Sequence, residues 1–144
     1  MVLLDTHVLL WMLFDDSQLS VDAVAALQNN VCCISMTTIR EMAIKMSLGK
    51  LILPKSIPEI VAECEAMGIQ IVDITIEDCV CLRDLPLIHR DPFDRMLISH
   101  AMVENMPLVS HDQSIQKYEN LRFFTFSCGM TTDSLSQPAA ASSL

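Results

Sequence analysis

Short, uninterrupted apolar runs alternate along this chain with longer segments whose apolar positions recur at helical spacing. Val2 to Leu4 is the first run. Strands buried on both faces of a parallel sheet read this way, because neither face calls for a polar alternate. Val31 to Ser35, Ile69 to Val72 and Leu108 to Ser110 repeat the pattern, and Arg122 to Phe126 is a candidate fifth strand. His7 to Phe14 reads as a helix stopping near Asp15-Asp16. Ser20 is placed to cap a helix over Val21 to Gln28, where Val21, Val24 and Ala25 share a face. Thr38 to Ser47 reads as a third helix, closed by Leu48-Gly49 as a glycine C-cap. Ser56 to Met67 carries Pro58 in its first turn and Gly68 at its end. Thr75 to Leu85 reads as a fifth helix, Leu87 to Asp91 as a loop, and a sixth helix starts near Pro92.

Strands that alternate with helices predict an α/β fold, a three-layer α/β/α sandwich around a central parallel sheet. Ligands of such open sheets bind beyond the carboxyl ends of the strands. Residues 1–126 are expected to form one domain. Residues 127–144 are mostly small and polar and are expected to be a disordered tail without chemistry.

Composition agrees with one globular domain. The chain has 144 residues, 51% of them apolar and 19% charged, the opposite of a disordered balance. Three glycines suit helices with short turns better than an all-β sandwich. No basic n-region precedes the first apolar stretch, which Asp5 and His7 interrupt, and Val8 to Phe14 is far too short for a bilayer. The six cysteines form no C-x-x-C pair and no zinc spacing, so they read as buried free thiols in a reducing cytoplasm. The ten methionines are scattered and read as core filling.

The net charge of −9 complicates any nucleic-acid role, since such affinity normally comes from Lys and Arg. Part of that charge has a different explanation. Asp5 follows the first strand, Glu41 follows the second, Asp94 opens the sixth helix and Asp112 follows the fourth strand. Carboxylates converging at strand ends repel one another unless a divalent cation lies between them. Each acid also has an ordinary use. Thr38 to Glu41 fits a capping box with Glu41 at N3. Asp91-Pro92-Phe93-Asp94 suits an N-cap, a proline at N1 and an acid at N3. Asp112 could cap a short helix after Ser110, and Asp5 could cap the first helix. Against capping alone, Asp94 shares a helix face with Leu97, Ile98 and Ala101, an inward direction that costs a lone carboxylate dearly.

Four further residues are candidate accessories. Thr6 could orient a metal-bound water or serve as a helix-start hydroxyl. Asp91 stands close to Asp94. Lys45 lies i+4 from Glu41, and a pair with it is the default. Arg95 could hold phosphate or pair with Asp91. His7, His89, His100 and His111 form no H-E-x-x-H pattern and are read as non-ligands, because a hard cation prefers carboxylates.

At these residues the chain resembles the PIN-domain family and, within it, the VapC-type toxins of bacterial toxin–antitoxin pairs. The resemblance rests on Leu3-Leu4-Asp5-Thr6-His7-Val8-Leu9-Leu10-Trp11, on Arg40 to Lys45 with Leu48-Gly49-Lys50-Leu51, on His89 to Ile98, and on Pro107 to Asp112. Asp91-Pro92-Phe93-Asp94-Arg95 before an apolar helix is the most telling piece. The resemblance implies an Mg2+- or Mn2+-dependent endoribonuclease, with Asp5, Glu41, Asp94 and Asp112 as metal-holding catalytic acids. It further implies a homodimer inhibited by a cognate antitoxin whose basic or apolar tail covers the site. The acidic net charge suits such a partner. Two rivals remain. One is a non-catalytic module of the same fold that grips a basic protein. The other is a phosphatase with Asp5 as nucleophile, which the haloacid-dehalogenase pattern disfavours because His7 stands where a second Asp belongs.

Overall fold

The computed structural model of the chain describes residues 1–125. The expected tail from residue 127, together with Phe126 and Cys128, lies outside them. The described residues form five strands: β1 (Val2–Leu4), β2 (Cys32–Ser35), β3 (Gln70–Val72), β4 (Leu108–Ser110) and β5 (Phe123–Thr125). Six helices join them: α1 (Thr6–Phe14), α2 (Val21–Gln28), α3 (Met36–Ser47), α4 (Ile57–Ala66), α5 (Ile76–Asp84) and α6 (Pro92–Val103). Short 3-10 turns at Asp16–Gln18 and Gln113–Lys117 complete the list.

All strand pairs are parallel, in the order β3-β2-β1-β4-β5. The sheet therefore runs outward from its centre twice. From β1 the chain steps to β2 and β3 on one side, then returns to lay β4 and β5 on the other. The reversal falls between β1 and β4, which pair Leu3 with Leu108 and Leu4 with Val109. In such sheets a crevice opens at this seam beyond the strands' carboxyl ends.

The period of two assigns the apolar residues to two cores. Val2, Leu4, Cys32, Ile34 and Val109 face one side, with Val8, Leu9, Ala23, Leu27, Met42 and Ile60 of the helices. Leu3, Cys33, Leu108 and Phe123 face the other, with Leu97, Ile98 and Ala101 of α6. Val2–Leu4 is buried throughout, as its unbroken apolar sequence requires.

Helix starts are set by side-chain caps. Ser20 accepts from Ala23 N, and capping boxes form at Ser56–Glu59 and Thr75–Asp78. Gly49 and Gly68 take the left-handed conformation after α3 and α4, at φ +69° and +77°. The third helix differs from expectation: it begins at Met36, and Ser35, the last residue of β2, is its cap. The cysteine reading divides. Cys32, Cys33 and Cys64 are buried free thiols, and burial, with Cys32 beside it, pushes the Cys33 thiol up to about 11. Cys79, by contrast, is exposed. Met42 and Met106 fill the core, whereas Met36 and Met67 are exposed. Among the described residues no helix is long and apolar enough to cross a membrane.

Candidate metal centre

Three of the four sequence-predicted acids line one cleft at the β1–β4 seam. Asp5, Asp94 and Asp112 form its walls with His89 and Ser110, over an apolar floor of Leu97, Ile98, Leu108 and Ile115. Each is carried there by a different element.

Asp5 occupies the N-cap position of α1, yet its carboxylate caps nothing. Its Oδ2 accepts instead from Ser110 Oγ at 2.7 Å, across the seam from β4. The residue is only 8% exposed. A capping role does not account for it. Glu41 likewise leaves its expected capping place. Because Ser35 caps α3, Glu41 lies in the second turn, 4% exposed, rather than at N3. Its Oε1 lies 3.3 Å from the Thr6 hydroxyl, and Lys45 Nζ lies 3.1 Å from its Oε2. Glu41 is not part of the cleft wall, yet its charge is felt at Asp94.

The first turn of α6 separates two roles that the sequence runs together. Asp91 is the cap, its Oδ1 accepting from Phe93 N at 2.8 Å and Asp94 N at 3.1 Å. Asp94, freed from capping, points with Leu97, Ile98 and Ala101 towards the sheet, where those three are at most 2% exposed. Burial pushes the Asp94 carboxyl up to about 7, and the negative charges of Asp5, Asp91 and Glu41 add to the rise while His89 opposes it. Three acids whose charges oppose the ionisation of Asp94 are an arrangement that a bound cation would relieve.

Asp112 does cap the turn Gln113–Lys117, its Oδ1 accepting from Ser114 N at 2.9 Å. Its Oδ2 lies 2.5 Å from His89 Nε2. Burial pulls this carboxyl's pKa upward, but hydrogen bonds from Ser114 and His89 outweigh it and hold the group below its ordinary value. His89 is itself held: Nδ1 lies 2.8 Å from the Tyr118 hydroxyl, and the two rings stack with centroids 5.5 Å apart. Ser110, His89 and Tyr118 were missed by the sequence reading. Ser110 carried a faint signal, a polar residue closing an otherwise apolar strand.

The accessory residues divide as follows. Thr6 is buried and contacts Glu41 and Thr38. Lys45 forms the expected pair with Glu41. Arg95 makes no ion pair with Asp91 among the described residues. Its guanidinium donates to the carbonyls of Leu85, Pro86 and His89, which fixes the loop that carries His89. The resulting donor set is all carboxylate oxygen, the chemistry that suits a hard dication such as Mg2+ or Mn2+.

A family model described as the PIN domain matches residues 2–121. The chain belongs to the PIN-domain family. No curated protein matches it. Among solved structures, this PIN domain is similar to VapBC2 from Rickettsia felis bound to a DNA fragment from its promoter. The TM-score is 0.65 at 16% identity, covering 88% of this chain and 98% of that one. A DNA-bound VapBC from Salmonella typhimurium gives a TM-score of 0.59 at 16% identity, covering 85% and 97%. A toxin–antitoxin complex from Klebsiella pneumoniae gives 0.57 at 15% identity, covering 84% and 95%. At such identities the likeness concerns the fold, a five-stranded parallel sheet between helical layers. PIN domains typically bind divalent metals, and the acids of this one fit that chemistry.

Proposed function

We propose that this PIN domain is an Mg2+- or Mn2+-dependent endoribonuclease, the toxin of a VapC-type toxin–antitoxin pair. The observation that carries the proposal is the convergence of Asp5, Asp94 and Asp112 on one cleft, with the charge of Glu41 acting on Asp94, at the seam where the sheet reverses. Asp5, Glu41, Asp94 and Asp112 are the residues that would hold the cation, directly or through water. When bound, such a cation lowers the pKa of a coordinated water and offsets charge on a phosphodiester.

The protein's own part is positioning. Ser110 fixes Asp5, and His89 and Ser114 fix Asp112, so neither carboxylate has to be ordered when substrate arrives. Thr6 and Lys45 hold Glu41 in place. Most cations are already engaged: Lys45 with Glu41, Lys55 with Glu63, Arg95 with carbonyls. Arg90 and Lys50 are exposed with no ion pair among the described residues, and Arg90 adjoins His89 of the cleft wall. They are the side chains we assign to substrate phosphates.

The similar structures named VapBC or toxin–antitoxin complex support an antitoxin partner here. An acidic chain with a carboxylate cleft suits a partner segment that is basic or apolar. A homodimer in the cytoplasm completes the proposal.

The test is cleavage of a mixed RNA pool, with single-stranded DNA in parallel, in Mg2+ or Mn2+ against EDTA. Asp5→Asn and Asp94→Asn accompany the wild type. Metal-dependent cuts in RNA, lost in both variants, support the assignment. No cutting by any sample, with divalent metal failing to raise Tm, would replace it by a non-catalytic module that grips a basic partner.

A further inference from the structure

We propose that Asp5, His7 and His111 form a second, mixed-ligand cation site that shares Asp5 with the cleft, suited to a nitrogen-seeking transition dication, Zn2+ foremost. Each of the three offers one ligand atom, and these atoms all lie within 4.8 Å of one another. They come from two chain segments meeting at the seam. Asp5 ends β1 and His7 lies in the first turn of α1. His111 directly follows Ser110, whose hydroxyl already binds Asp5 Oδ2 and leaves Oδ1 for a ligand role.

Two independent observations favour a ligand here over a chance grouping. The first is an orphan atom. His111 Nδ1 is buried and has no hydrogen-bond partner among the described residues. A buried polar nitrogen in that state is costly, and a bound cation with its waters would complete its surroundings. The second is ring packing. His7 and His111 meet edge to face with centroids 5.1 Å apart, and Trp11 closes on His111 at 4.8 Å and on His7 at 6.0 Å. These ring contacts restrict the orientation of the half-buried His111 imidazole, while His7 itself is exposed.

The donor chemistry separates this site from the cleft. Two imidazole nitrogens and one carboxylate oxygen match the three-ligand zinc pattern that leaves a position open. Mg2+ prefers oxygen and its own waters, so it has little use for the histidines. Asp5 is the one residue common to both sites. Zinc held there draws on the carboxylate that the cleft needs, and the two ions are therefore expected to compete. The proposal does not rest on the nuclease reading, because zinc binding is read without RNA.

The experiment is calorimetric titration of the full chain with Zn2+, and separately with Mg2+, at neutral pH. The wild type is compared with a variant carrying both His7→Ala and His111→Ala. Circular dichroism and metal-free Tm establish that the variant folds. The wild type is expected to take one Zn2+ per chain. The variant should bind it more than about tenfold more weakly, the lower end of what loss of even a supporting partner costs a metal site. Co2+ should quench the fluorescence of Trp11, the lone tryptophan, in the wild type only. X-ray absorption of the zinc-loaded wild type gives a readout free of variant folding, and imidazole scattering is expected. Equal zinc affinity in both proteins, or oxygen scatterers alone, would overturn the site. A wild type that takes Zn2+ but no Mg2+ would overturn the nuclease reading and leave this one standing.

Discussion

Replacing Asp94 by Asn should stabilise the protein when metal is absent, although it removes a proposed ligand. The Asp94 carboxyl sits at about 7 in the fold against 3.8 for the ordinary group. A raised carboxyl favours the fold while protonated. Its contribution is fully present below about pH 3.8 and is lost as pH rises through about 7. Above that value the ionised group opposes folding. At 1.36 kcal/mol per unit, the rise corresponds to about 4 kcal/mol before screening. Asp94 is partly open to water, which reduces the figure to roughly 2 kcal/mol. For a domain of this size that is on the order of 5–10 °C in Tm. The assay is thermal melting in EDTA at pH 8 and at pH 5, with a matched series in Mg2+. At pH 8 the variant should melt higher than wild type, and the gap should narrow at pH 5. Added Mg2+ should raise the wild-type Tm and leave the variant's unchanged. A variant less stable than wild type at pH 8 without metal would refute the idea that Asp94 is held against its own electrostatics.

His89→Ala removes the partner of Asp112 Oδ2 and should weaken Mg2+ binding about 10–100-fold, read by calorimetry; an unchanged affinity would show that Ser114 alone orients the carboxylate. Leu97→Ala, at a fully buried position of the cleft floor, should cost about 2–5 kcal/mol in urea unfolding with an unchanged m-value. Cleavage products should carry a 5′-phosphate and a 3′-hydroxyl, since the proposed nucleophile is water; mass spectrometry showing a 2′,3′-cyclic phosphate would sink that mechanism.

The strands were readable because burial on both faces leaves an unbroken apolar run, as Val2–Leu4 displays. The start of α3 was not. Thr38 and Glu41 imitate a capping box, but the pairing of Ser35 with Val72 ends β2 where Ser35 can cap, three residues before Thr38. A long-range pairing decided a local boundary. The same shift turned Glu41 from a surface cap into a buried acid. For Asp94 the reading succeeded because Leu97, Ile98 and Ala101 fixed its face locally. Arg95 could not be read, because its partners are backbone carbonyls, which carry no side-chain signature. Nor could His89, whose partner Asp112 is 23 residues away along the chain. The histidines beside Asp5 were set aside for lacking a motif, and their proximity arises only when β4 is laid against β1.

That order of assembly bears on when the cleft can exist during synthesis. Its first wall, Asp5, leaves the ribosome almost at once, but the strand bearing Ser110 and the turn bearing Asp112 emerge near the end of the described chain. Until β4 pairs with β1, the central strand has one neighbour, and the carboxylate of Asp5 has no hydroxyl to receive. Pairings that span so much sequence form late, because loop closure precedes their reward. A nascent chain halted before residue 108 holds neither Ser110 nor Asp112. The three-acid wall of the cleft therefore exists in no unfinished copy of the described domain, and only a chain made past residue 112 can assemble it.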